Sequence, residues 1–210
     1  MRLVPWWAVV SAVCAPLLLV GGWAVAGLLH GPGYDPVTET ISLLARRGAP
    51  DRWVMGAALM ALGVCDIVTA LGLRPAFLLG RIVLAAGGVT SVLVSLSPVP
   101  HQGASHLHGM TVVVGFSLLA LWPCLAAVRR RSPPWALRPG PAALATASML
   151  LGAAWFMLEL RHHGAAGAVE RLVTAAQAAW PLVVVLSCLR HAATGSARAR
   201  PAEADGRTSR

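Results

Sequence analysis

The chain has 210 residues, of which 57% are hydrophobic and 12% charged, and its net charge is +9. A soluble fold cannot cover so much apolar surface with so few charges, whereas a bilayer requires such a balance, so composition excludes an ordinary soluble domain. The charge does not point to nucleic acid, because the basic residues are spread over segment ends and the C-terminal tail without one patch of interleaved aromatics.

Residues 3 to 29 are the first apolar run. Ala24-Val25-Ala26 resembles a signal cleavage site, but the run is well beyond the roughly 7–15 apolar residues of a signal peptide. Trp6, Trp7 and Trp23 sit where interfacial aromatics anchor a spanning helix, so an uncleaved first span is expected. The connection from His30 to Arg52 is the longest polar one. Gly31, Pro32 and Gly33 break the helix, and Asp35-Pro36-Val37 reads as a cap with Pro at the first helical position. Ile41, Leu43 and Leu44 then give a short amphipathic helix one apolar side, suited to the membrane interface.

Val54 to Leu73 is the second span, Arg74-Pro75 a tight turn, and Ala76 to Leu96 the third. Ser97 to Met110 is polar, carries His101, His106 and His108, and leads into a fourth span from His106 to Val128. Residues 132 to 141 contain four prolines and read as a loop. The fifth span runs from Ala142 to Leu160 and the sixth from Val169 to Leu189. Residues 1 to 190 thus form a six-helix transmembrane domain, and 191 to 210 an Arg-rich tail expected to be disordered. Each span has about 20 residues, enough for a hydrocarbon core of about 30 Å. Backbone groups in lipid must be satisfied within the segment, so the spans are helices and the fold class is all-α.

Orientation follows from Arg. All seventeen basic residues are Arg, and twelve lie at the N-terminus, the second-to-third turn, the fourth-to-fifth loop and the tail. The opposite ends hold five, Arg46, Arg47, Arg52, Arg161 and Arg171. Both termini are therefore expected in the cytoplasm of a cell-membrane protein. The absence of Lys and Asn beside abundant Ala and Gly suggests a GC-rich bacterial genome. Cys14, Cys65, Cys124 and Cys188 fall within spans, so no disulfide framework is expected.

On this orientation, six of the seven histidines and five of the eight acids fall on the outer side. Imidazole and carboxylate are the usual ligands of zinc and related ions. The candidate metal set is His106, Asp35 and His163; the competing reading is a hydrated polar rim. His106 and His108 point about 200° apart on a helix, and no HExxH spacing occurs, so any metal site must be assembled from several connections. A di-haem arrangement is disfavoured, since no His lies on the inner half of a span.

Asp66 and Arg81 both lie roughly 9 Å in from the same face on antiparallel neighbours, and an ion pair at equal depth is expected to fix helix register. Glu159, Arg161, Glu170 and Arg171 form a charged collar, with Glu159–Arg171 or Arg161–Glu170 pairs expected to clamp the last hairpin. Small residues such as Gly63, Gly80 and Gly88 suit close helix packing.

The chain resembles the DUF998 family of six-span bacterial and archaeal membrane proteins. The resemblance rests on Gly33-Tyr34-Asp35-Pro36 with Ile41-Ser42-Leu43, on SPVP after a glycine-rich third span, on His106, and on Glu170-Arg171-Leu172. It covers roughly residues 5 to 190 and implies a six-helix membrane protein without implying a reaction. The expected function is binding of a small molecule, lipid headgroup or partner in an outer polar pocket formed by Tyr34, Asp35, Glu39, Ser42, His106, Glu170 and Arg171. The alternative is a membrane enzyme, in one form a metal-assisted hydrolase using outer His and acids. A transporter is less favoured, because no internal repeat or pair of broken helices is visible.

Overall fold

The computed structural model describes residues 3–100 and 105–205, the stretch 195–205 as backbone only. Arg2, His101, Arg207 and Arg210 lie outside the described residues. The elements are α1 (Trp6–His30), a single helical turn α2 (Ile41–Leu44), α3 (Arg52–Gly72), α4 (Leu78–Leu96), α5 (His106–Leu125), a 3-10 turn (Trp135–Leu137), α6 (Pro139–His162) and α7 (Ala166–Asp205). All helices but α2 and the 3-10 turn are long and apolar enough to cross a membrane, α7 over Ala166–Thr194. Their outer surface is apolar, with Leu17, Leu28, Leu144 and Leu151 exposed, as contact with lipid tails requires.

The six spans form a closed ring in chain order: each packs on the next, and α7 returns to α1. Short connections at 73–77 and 163–165 leave consecutive spans no choice but to run antiparallel. Lipid tails are as apolar as Leu, so burial alone does not draw these helices together; close backbone approach and dispersion contacts do. At the crossing of α3 and α4, a Cβ on Gly63 would collide with the Gly88 carbonyl, and one on Gly88 with that of Gly63. A side chain on either would separate the two helices.

Three apolar clusters fill the ring, the smallest joining Phe156, Ala166, Val169 and Val173. One lies at the end holding both termini and joins Ala8, Leu73, Leu84, Trp122, Leu137, Val185 and Cys188. Another lies under α2 and joins Leu19, Ile41, Leu44, Met55 and Leu62. The four cysteines are free.

Several sequence expectations shift. The proline-rich segment is partly helical: α6 begins at Pro139, since first-turn amides need no intrahelical acceptor. Ala136 and Leu137 are buried, and the Ala136 amide donates to Ser187 Oγ at 3.1 Å. The Asp66–Arg81 pair does not form. Arg81 Nε donates to the Ala70 carbonyl at 2.8 Å and Nη2 to that of Leu71 at 2.9 Å. The last carbonyls of α3 lack intrahelical donors and carry the negative end of its dipole, so they attract the guanidinium. Helical backbone continues through Asp205.

Candidate functional site

The connection between α1 and α3 folds back over the end of the ring and is strapped to the start of α7. Gly31, at φ 83°, ends α1. Asp35 then organises a turn, accepting from the Val37 amide at 3.0 Å and the Thr38 hydroxyl at 2.7 Å. These bonds hold its exposed carboxyl below the ordinary value of 3.8. Asp35 therefore caps this turn; the helix starts six residues later, at Ile41, and the carboxylate faces away from the bundle interior.

Tyr34 and Arg171 make the strap. The Tyr34 hydroxyl donates toward the Glu39 and Thr40 carbonyls, each at 3.2 Å, and accepts from Arg171 Nη2. Burial pushes the phenol above its usual 10.0, against the pull of the Arg171 hydrogen bond. Arg171 Nη1 donates to the Pro36 carbonyl at 2.7 Å, Gly167 at 2.8 Å and Glu39 at 3.2 Å. The guanidinium also lies 5.6 Å from the Tyr34 ring centre and 6.0 Å from that of Trp23. The Ala168 amide bonds the Val37 carbonyl at 2.9 Å, and a Cβ on Gly167 would strike the Glu39 carbonyl, so the loop sits directly on the first turn of α7.

Glu170 is buried and accepts the Ile41 amide at 2.5 Å, satisfying the first donor of α2. Next to it, His108 joins three segments. Its Nδ1 meets the Ser97 carbonyl at 2.8 Å and its Nε2 the Ser42 hydroxyl at 3.2 Å. A carbonyl only accepts, so Nδ1 carries a proton toward Ser97.

Beneath α2 lies a cavity of about 70 Å³, lined by every span except α6. A buried water needs roughly 10–15 Å³, so there is room for several waters or a small solute. Ser42 and Glu170 line the cavity, and so do Asp66, Thr90, Thr174 and Gln177. Asp66 is buried, and its Oδ1 has no hydrogen-bond partner. It lies roughly 21 Å of helical rise from the start of α3, and Glu170 roughly 6 Å from the start of α7, so they mark different depths.

Of the expected pocket residues, Ser42 and Glu170 line the cavity, whereas Tyr34 and Arg171 bond one another and the Glu39 carbonyl in the strap outside it. His106 is exposed, and the buried histidine is His108, because the two occupy opposite faces of α5. His163 ends α6 at φ 52° and is exposed. His106, Asp35 and His163 do not converge, and among the described residues no three His, Cys, Asp or Glu could hold a metal ion. The collar pairs are replaced as well. Glu159 accepts from Trp155 Nε1 at 2.9 Å and the Ala165 amide at 2.8 Å, closing its own turn, while Glu170 and Arg171 serve the first connection.

Sequence reasoning missed Thr174 and Gln177. The signal was present: Glu170, Thr174 and Gln177 follow i, i+4, i+7 spacing, a polar stripe on one face of an otherwise apolar span. A family model described as a protein of unknown function (DUF998) matches residues 12–187. No curated protein and no solved structure matches the chain.

Proposed function

The chain belongs to the DUF998 family, described as of unknown function, and we propose that it is a cell-membrane protein that binds a small solute in the cavity beneath α2. One observation carries this reading: five of the six spans line a cavity with two buried acidic side chains and several hydroxyls along its wall. Polar and ionisable groups inside a membrane are costly, and their usual use is a solute or ion site. The Arg distribution supports cytoplasmic termini, which puts α2 and the strap at the outer face, with α2 at the interface. A C-terminal reporter active only outside the cell would sink this orientation. For the cavity itself, purified protein in nanodiscs should be stabilised by at least one member of a small-solute set, and Leu62→Trp, which fills the space, should abolish the effect. Equal stabilisation of the Leu62→Trp variant would place the ligand elsewhere.

A hydrolytic reading rests on a different feature. Ser42 Oγ lies 3.2 Å from His108 Nε2, and the Ser97 carbonyl orients the ring, which is a nucleophile–base arrangement without a carboxylate. A fluorophosphonate probe should then label Ser42 and fail to label the His108→Ala variant. An unlabelled Ser42 rejects the enzyme reading.

A further inference from the structure

Building on the reading of the cavity as a solute site, we infer that its ligand is a small organic ammonium held by Asp66. The hydrogen-bonding sense of the wall points to this class. Thr90 and Ser91 both donate to the Gly87 carbonyl, at 2.6 and 3.2 Å. Thr111 donates to the Leu107 carbonyl and Thr174 to that of Glu170, each at 2.8 Å. Each of these hydroxyls has spent its proton on a protein acceptor and offers the cavity only lone pairs. Gln177 donates one amide hydrogen to the Phe116 carbonyl at 3.1 Å and keeps a second.

Charge agrees with this. No Arg or His lines the cavity among the described residues, and Arg81 is committed to the α3 carbonyls. Asp66 is only 2% exposed, lines the cavity and keeps Oδ1 unpartnered. A buried carboxylate calls for a donor or a countercharge, and an ammonium brings three donors, a positive charge and no acceptor. Glu170, whose carboxyl accepts the Ile41 amide, also lines the cavity, and the remainder of the wall, including Leu59, Leu62, Leu119 and Phe116, is apolar. It suits a short hydrocarbon body, and the Phe116 ring adds a face attractive to a cation. A carboxylate or phosphate ligand would meet acceptors over most of the polar wall.

The test uses the full chain in nanodiscs, with thermal unfolding followed in isobutylammonium, isobutanol, isovalerate and sodium chloride at matched concentrations. Isobutylammonium should stabilise most, isobutanol weakly, and isovalerate and sodium not at all. Asp66→Asn should weaken isobutylammonium binding by roughly 10- to 100-fold, the range of a charge-assisted hydrogen bond, and leave isobutanol unchanged. Equal stabilisation by the amine and the alcohol would retain a solute cavity and overturn the ammonium. Equal stabilisation by sodium would also overturn it, in favour of an alkali ion. Stabilisation by none of the four overturns both the ammonium and the solute cavity. The wild-type series decides these outcomes even where Asp66→Asn fails to fold.

Discussion

Glu170 and Asp66 are both carboxylates buried in the ring of spans, and both line one cavity. Their surroundings differ. Glu170 lies where a loop folds over the bundle end, and that loop supplies a spare amide, Ile41 N, at 2.5 Å. Asp66 lies within a span, where every neighbouring helix has used its amides in its own i→i−4 bonds. Backbone donors therefore exist at the ends of a helical membrane protein and are scarce inside it. A carboxylate at the end becomes part of the architecture, and one in the interior is left for a proton or a ligand.

The largest effect that tests this contrast is on stability. Glu170→Ala leaves the buried Ile41 amide without an acceptor and should cost about 1–3 kcal/mol, while Glu170→Gln, which keeps an oxygen, should cost less. Asp66→Asn should be near neutral or stabilising in the same denaturant titration; a loss matching Glu170→Ala would erase the distinction. Next is the histidine pair. His108→Ala removes bonds to Ser42 and Ser97 and should cost about 1–2 kcal/mol, against less than about 0.5 kcal/mol for the exposed His106→Ala.

A smaller effect concerns Arg81. In a double-mutant cycle, Asp66→Ala and Arg81→Ala should couple by less than about 0.5 kcal/mol, since Arg81 bonds the Ala70 and Leu71 carbonyls and not Asp66. Stronger coupling would restore the ion pair. The smallest is a pH step in the first connection. The Asp35 carboxyl is held below 3.8 in the folded chain, so its contribution is present above that value and is lost as pH falls below it. Proteolysis within residues 31–40 should rise in that acid window, and Asp35→Asn should remove the step. An unchanged step in Asp35→Asn would assign it to another group.

Much of the fold was legible because lipid makes strong demands on sequence. Six apolar runs of the required length located the spans, each starting within three residues of the observed helix, while α7 alone runs well past its expected end. The site was less legible. Spacing alone established that His106 and His108 face opposite ways, but not which of them faces the ring. Equal depth suggested pairing Asp66 with Arg81, yet the guanidinium had a nearer set of acceptors in the unpaired carbonyls of α3. The polar stripe on α7 was readable and went unread because its members are separated by apolar residues.

By itself, then, the sequence determined a six-helix membrane protein, because hydrophobic length and backbone self-satisfaction are properties of single segments. The tertiary structure alone decided that the first connection is strapped to α7, that His108 is the buried histidine, and that Asp66 stands without a partner beside a cavity. Those features depend on which helix faces meet across the ring and on where spare donors and acceptors lie, and neither is encoded in any one segment.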